Sequence, residues 1–215
     1  MLKSVDLETK LKDPSLLKTQ AYINGKWVGA KSGKTFPVYN PSTGEVIADV
    51  PDMGVEDLQV AIDGAYKAQK MWAAKTGKER AGVLKKWNDL MVENADDLAI
   101  ILTAEMGKPL AEARGEIVYG ASFIEWFAEE AKRVYGETIP GHQPDKRIMV
   151  IKQPVGVVAS ITPWNFPNAM ITRKAGPALA SGCAFVAKPA GETSLSGLVM
   201  VELAERAGVP AGVFS

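Results

Sequence analysis

The hydrophobic pattern changes period repeatedly between residues 155 and 215, and few architectures accommodate that. VGVVASI, residues 155–161, is a β-branched run suited to a strand buried on both faces. A helical pattern follows over about residues 168–180, then AFVAKPA as a second strand, then a helix over about 195–207. VPAGVFS begins a third strand at the end of the chain. Strand, helix, strand, helix, strand predicts a parallel sheet, because parallel neighbours need a crossover and cannot be joined by a tight turn.

Upstream the period differs. In QAYINGKWVGA, Asn24-Gly25 between alternating residues predicts a two-residue hairpin. FPVYNPSTGEVIADV repeats the plan around residues 40–44. Residues 55–135 are predicted to be helical. Val83, Leu84, Trp87, Leu90 and Met91 fall on one stripe. Asn94 reads as the cap of the next helix, with Asp97 completing a capping box, and that helix should stop at Met106-Gly107-Lys108-Pro109. A long helix over 110–135 should turn Ile117, Phe123, Ile124, Phe127, Ala131 and Val134 to a core. GETIPGHQPDKRIMVIKQPVG then reads as two strands around a Pro/Gly turn, projecting from the body.

The composition removes several classes of function. With 25 basic and 25 acidic residues among 215, and the signs interspersed, no electrostatic argument favours nucleic acid or a membrane surface. MLKSVDLETKLKD has no apolar core and is not a signal peptide. The longest uncharged stretch, 153–172, is interrupted by prolines and asparagines, against a membrane span. A single cysteine excludes an intrachain disulfide and points to a reducing, cytoplasmic setting. The usual phosphate-loop motifs and metal-ligand spacings are absent. His142 belongs to the exposed turn, and Cys183 reads as a structural thiol at a helix–strand junction.

The chemistry is therefore sought at the strand ends, since open α/β sheets bind ligands outside the carboxyl ends of their strands. Thr162, Pro163, Trp164 and Asn165 follow the first strand; Lys188, Pro189, Ala190 and Gly191 follow the second. Asn165 is either a turn-forming residue bonded to local backbone or an amide donor aimed at a developing oxyanion. In ITPWNFP, Pro163 and Pro167 restrict the chain around it. Lys188 is either a surface lysine or a contact to a nucleotide ribose or its phosphate. Arg173 is either an exposed helical arginine or a bidentate grip on a carboxylate.

At these residues the sequence resembles the NAD(P)-dependent aldehyde dehydrogenase superfamily. The resemblance runs through AYINGKW, NPSTGEVIADVP, EMGKP and GEIVYGASFIEWFAEEAKRVYGE, and is most specific in ITPWNFPNAMITRKAGPALASGCAFVAKPA and LAERAGVPAGVF. At Met170-Ile171-Thr172-Arg173-Lys174 it is similar to the succinate-semialdehyde branch, in which an arginine meets the substrate carboxylate. The fold so implied is α/β: helices and short antiparallel strands leading into a Rossmann-like parallel sheet, with a projecting oligomerisation hairpin. The implied domains are 1–134, the N-terminal part of the cofactor-binding domain; 135–153, the hairpin; and 154–215, the first strands and helices of the Rossmann-like fold. The resemblance puts the catalytic domain outside these residues.

The resemblance makes Asn165 the side-chain half of an oxyanion hole. Thr162, Pro163 and Trp164 line the cofactor crevice with it, and Lys188, Pro189, Ala190 and Gly191 bind the adenosine ribose. Gly191 stands where NAD-preferring relatives often carry glutamate, which favours NADP, while Glu192 keeps NAD open. The implied substrate is a small semialdehyde, succinate or glutarate, and the implied assembly a homo-oligomer. The family's nucleophilic cysteine and general-base glutamate are expected beyond Ser215, so these 215 residues alone are expected to be inactive, and a non-catalytic interaction module remains the alternative.

Overall fold

The computed structural model describes residues 7–215, so the first six residues of the charged N-terminal stretch lie outside the described residues. β1 (Ala21–Ile23) and β2 (Lys26–Val28) form an antiparallel hairpin. Asn24 and Gly25 turn it with φ of 53° and 80°, a pair of positive angles that Asn-Gly adopts at little steric cost. β3 (Thr35–Tyr39) and β4 (Val46–Pro51) pair in the same sense. In their connection Asn40 Oδ1 accepts from Ser42 N at 2.9 Å, as an Asx-turn does.

The predicted helical block consists of α1 (Val55–Ala73), α2 (Gly77–Glu93), α3 (Ala95–Met106) and α4 (Leu110–Glu130). Leu84, Trp87 and Met91 are fully buried, with Val83 and Leu90 packed at the margin of the same core. α3 stops where the sequence says it should: Gly107 takes φ 82° and its N–H reaches Thr103 O at 2.9 Å.

Two expectations for this block are corrected. Asn94 does not cap α3 through its side chain; its Nδ2 donates back to Leu90 O at 2.8 Å. α2 and α3 follow so closely that Asn94 sits at φ −100°, ψ 15°, outside the extended region that a side-chain cap uses. Asp97 instead accepts from the Lys12 and Asp13 N–H groups at 2.9 and 2.8 Å and so ties down the N-terminal segment. The fourth helix ends at Glu130, not near Tyr135, and Val134 is 44% exposed. Ala131 O lies so close to the start of α2 that a Cβ on Gly77 would meet it at 2.3 Å. The chain turns at that contact.

β5 (Glu137–Pro140) and β6 (Arg147–Val150) form the second predicted hairpin, antiparallel and exposed at every residue, with His142 exposed in its turn. Beyond it lies the strand–helix alternation. β7 (Val157–Ile161) and β8 (Ala184–Lys188) are parallel and joined through α5 (Ala169–Ala180). α6 (Ser194–Ala207) returns the chain to β8. There Phe185 N donates to Val213 O at 2.8 Å and Ser215 N to Phe185 O at 3.0 Å.

β8 is therefore the central strand, and its alternating side chains are buried on both sides. Ala184 and Val186 pack with Ala61 and Ala65 of α1. Phe185 turns the other way, edge-to-face with Phe214 at 5.4 Å between centroids, and Phe214 stands at 5.7 Å from Trp87. β7 departs from the expectation of burial on both faces. It pairs only with β8 among the described residues, and Val157 alone of its residues packs on the α1 cluster. Ala159 and Ile161 on that face are consequently exposed, Ile161 by 79%.

Candidate active site

The parallel register sets Ile161 opposite Lys188, and Thr162 N donates to Lys188 O at 3.2 Å. The two strand ends singled out in the sequence are thus neighbours at one edge of the sheet, where ligands bind in folds of this class. Thr162 is buried and anchors the edge, while Pro163, Trp164, Asn165 and Lys188 are exposed. Pro189, Ala190 and Gly191 are half-buried.

The Asn165 carboxamide makes no hydrogen bond among the described residues; the residue is held only through its backbone carbonyl, which accepts from Lys108 Nζ at 3.2 Å. A turn-forming asparagine would spend its side chain on local backbone, as Asn40 does. Lys188 forms no ion pair among the described residues. Its loop is tightly wound: Thr193 N donates to Ala190 O at 3.2 Å, and Ser194 Oγ to Gly191 O at 3.0 Å. A Cβ on Gly191 would meet nothing closer than the Phe36 ring, at 3.5 Å, so the fold leaves room beside it.

Arg173 is set back along α5. It is the fifth residue of that helix, one turn beyond Met170, whose sulfur its Nη1 approaches at 3.7 Å. The guanidinium stands 5.0 Å from the Phe123 ring centroid and forms no ion pair among the described residues. It borders a groove of about 910 Å³ that Phe123, Trp126 and Phe127 of α4 line together with Glu125, Glu129 and Glu130. Lys174 beside it donates to Met170 O at 3.0 Å, and burial followed by the Arg173 charge lowers its pKa.

The remaining candidates are not brought to this edge. Cys183 is 3% exposed, beneath the start of β8, with Ser181 Oγ at 3.6 Å from its sulfur. No group of three His, Cys, Asp or Glu side chains is arranged for a metal ion among the described residues. No helix there is long and apolar enough to cross a membrane.

Three residues to which the sequence reading gives no role in the site organise the edge. Glu116 on α4 is paired with Lys108, their side chains 1% and 10% exposed. Its Oε1 accepts from the N–H groups of Asn168 and Ala169 at 3.0 and 3.3 Å, where α5 begins without a side-chain cap of its own. Glu105 on α3 does the same for α6, accepting from Leu195 N at 2.8 Å and Ser196 N at 2.7 Å. Both carboxylates face the positive ends of helices that follow the strand ends. A signal was present: Ala113, Glu116, Ile117 and Gly120 share one apolar stripe, as do Leu98, Ile101 and Glu105. A carboxylate inside such a stripe needs a partner.

Burial pushes Glu105 up to about 7, against the hydrogen bonds from Ser196 and Leu195 that pull it down. A raised native pKa means that the folded state holds the proton more tightly than the unfolded one. The stability this confers is complete below about 4.5 and is lost as pH rises toward about 7. Denaturant titrations at pH 5 and pH 8 are expected to show wild type losing on the order of 3 kcal/mol more than Glu105→Gln over that interval. Equal losses would place the titration elsewhere.

The model of the aldehyde dehydrogenase family matches residues 27–215. A glutarate-semialdehyde dehydrogenase of Pseudomonas aeruginosa is 64% identical over 206 residues, 96% of this chain and 43% of the relative. The NADP(+) succinate-semialdehyde dehydrogenase GabD of Escherichia coli is 61% identical over 206 residues, with the same 96% and 43% coverage. The crystal structure of a succinate-semialdehyde dehydrogenase from Burkholderia pseudomallei superposes with a TM-score of 0.94 at 60% identity, covering 95% of this chain and 42% of that one. The chain thus spans about 43% of the length of the curated relatives it matches.

Proposed function

The chain belongs to the aldehyde dehydrogenase family, and from that premise we propose that it forms the cofactor crevice and substrate grip of an enzyme oxidising succinate semialdehyde to succinate with NADP. The observation that carries the reading is Asn165: an exposed carboxamide, unpartnered among the described residues, held by its backbone just past the strand end that pairs with Lys188. Arg173 supports the substrate class. Its exposed guanidinium lies over the Phe123 ring with no ion-pair partner among the described residues, which leaves its donors free for a carboxylate at the far end of an aldehyde. Glutarate semialdehyde is the second reading, favoured by the name of the Pseudomonas aeruginosa relative. One methylene is worth only about 1–3 kcal/mol of discrimination.

The residues present fit a dinucleotide at the strand ends. Lys188 offers a charge for a ribose phosphate, and the space beside Gly191 admits the phosphate without a competing carboxylate at that position; the NADP(+) in the name of the Escherichia coli relative agrees. When bound, the nicotinamide supplies the acceptor for the aldehyde's hydride. Asn165 donates a hydrogen bond to the oxygen that gains negative charge when a thiolate attacks the aldehyde carbon, and a donor preorganised there lowers the barrier. Arg173 holds the far carboxylate, so the carbonyl arrives at Asn165 in one orientation. Cys183, buried at the base of β8, is assigned no part in the chemistry. The thiolate and the base that activates water are assigned to polypeptide beyond these residues. Residues 1–134 and 154–215 then form the cofactor-binding part, with 135–153 as the contact between copies in a homo-oligomer. Exposed Met149 and Ile151 support that last assignment.

Assays with succinate semialdehyde and NADP(+) test the reading. A polypeptide of the relatives' length carrying this segment is expected to reduce the cofactor, and the 215 residues alone are expected not to. Turnover by the 215 residues would overturn the assignment of the nucleophile, and failure of the longer protein with both semialdehydes would overturn the substrate class.

A further inference from the structure

Neither proline of ITPWNFP constrains Asn165 itself. A proline fixes its own φ and restricts the residue before it, so Pro163 acts on Thr162 and Pro167 on Phe166. The dihedrals of Trp164 and Asn165 are left open between them. Yet this short segment is held at three successive points by one buried pair. Lys108 Nζ donates to Asn165 O at 3.2 Å and stands 3.9 Å from the Phe166 ring centroid. Glu116, paired with Lys108, binds the Asn168 and Ala169 N–H groups through Oε1. The pair comes from the α3–α4 turn and from α4, outside the α/β unit that it grips.

We propose that Lys108 and Glu116 are positioning residues for the oxyanion donor: together they fix the backbone of Asn165 so that its carboxamide faces the site with no partner of its own. This rests on the reading of Asn165 given above. Lys108 is suited to the task because its charge is neutralised by Glu116. It needs no further anion and can bond a carbonyl and cover an aromatic face together. Glu116 is suited because the N–H groups it accepts from are ones that a starting helix leaves unsatisfied.

Removing one partner alone leaves a buried uncompensated charge and can unfold the chain, whereas replacing both by apolar residues is often tolerated. Glu116 also accepts from two buried N–H groups, so the test uses Lys108→Met combined with Glu116→Gln, which removes both charges and keeps an acceptor for Asn168 and Ala169. In the 215-residue chain, the order parameter of the Asn165 backbone N–H is expected to fall from about 0.85 to below about 0.6, with the core of α4 unchanged. An unchanged order parameter at Asn165 overturns the proposal.

The second arm is kinetic, in the polypeptide of the relatives' length. Asn165→Ala alone is expected to lower kcat about 100-fold, and the paired substitution to lower it at least 10-fold. In the Asn165→Ala background the paired substitution is expected to add less than about 2-fold, because groups acting through one another are not additive. Full additivity would mean a merely structural role and overturns the proposal. If Asn165→Ala leaves kcat intact, the oxyanion reading fails, and the order parameter still decides whether the pair holds the segment.

Discussion

Arg173→Leu, made in a polypeptide of the relatives' length, is expected to lower kcat/KM for succinate semialdehyde about 100-fold while changing that for butanal less than about 3-fold. The magnitude follows from the environment. The guanidinium has no ion-pair partner among the described residues and lies over Phe123, so a carboxylate arriving there meets a cation with free donors and an aromatic wall. Arg173 is exposed in these residues; where substrate binding in the longer polypeptide desolvates the pair, losing one member costs about 2–5 kcal/mol, and about 3 kcal/mol corresponds to the factor given. Butanal has a similar length and no charge, so it forfeits only contact with the side chain's stem. Steady-state kinetics with the two aldehydes checks the difference. Equal losses would mean that Arg173 supports the helix rather than the substrate. Lysine at 173 is expected to recover part of the activity, since it keeps the charge but loses the two-pronged geometry.

Gly191→Glu carries the other large effect. A carboxylate at that position would face the 2′-phosphate expected beside Lys188, and a like-charge juxtaposition costs several kcal/mol. KM for NADP(+) is therefore expected to rise about 100-fold, while KM for NAD(+) stays within about 3-fold or falls. The substitution is informative because the fold tolerates it: the nearest atoms to the new Cβ belong to Phe36, at 3.5 and 3.8 Å, ordinary contact distances. A changed preference with unchanged thermal stability would locate the ribose at this loop. An unchanged ratio of the two constants would remove Gly191 from the cofactor site, leaving Glu192 and Lys188 to be examined.

Much of the architecture was legible because it is local. The Asn24-Gly25 turn, the Gly107 stop of α3 and the alternation of strands and helices after Val155 are dictated by backbone conformation and by side-chain period. The expectations that failed concern what lies beside an element. Nothing in VGVVASI tells that β7 has a neighbour on one side only, so Ile161 is exposed. Nothing in Asn94-Ala95-Asp96-Asp97 tells that Asp97 will meet the Lys12 and Asp13 N–H groups more than eighty positions away.

The same division runs through the site. Residue types and periodicity, which need no knowledge of neighbours, already show which chemistry is on offer: an asparagine and a lysine at strand ends, an arginine on the helix that follows, and a single thiol. Packing alone settles that the two strand ends share one edge, that the thiol is buried at the other end of β8, and that Asn165 is held by Lys108 and Glu116. The reason is physical. A buried ion pair is stable only where partners distant in the chain converge to satisfy it, and that convergence depends on packing rather than on any local pattern.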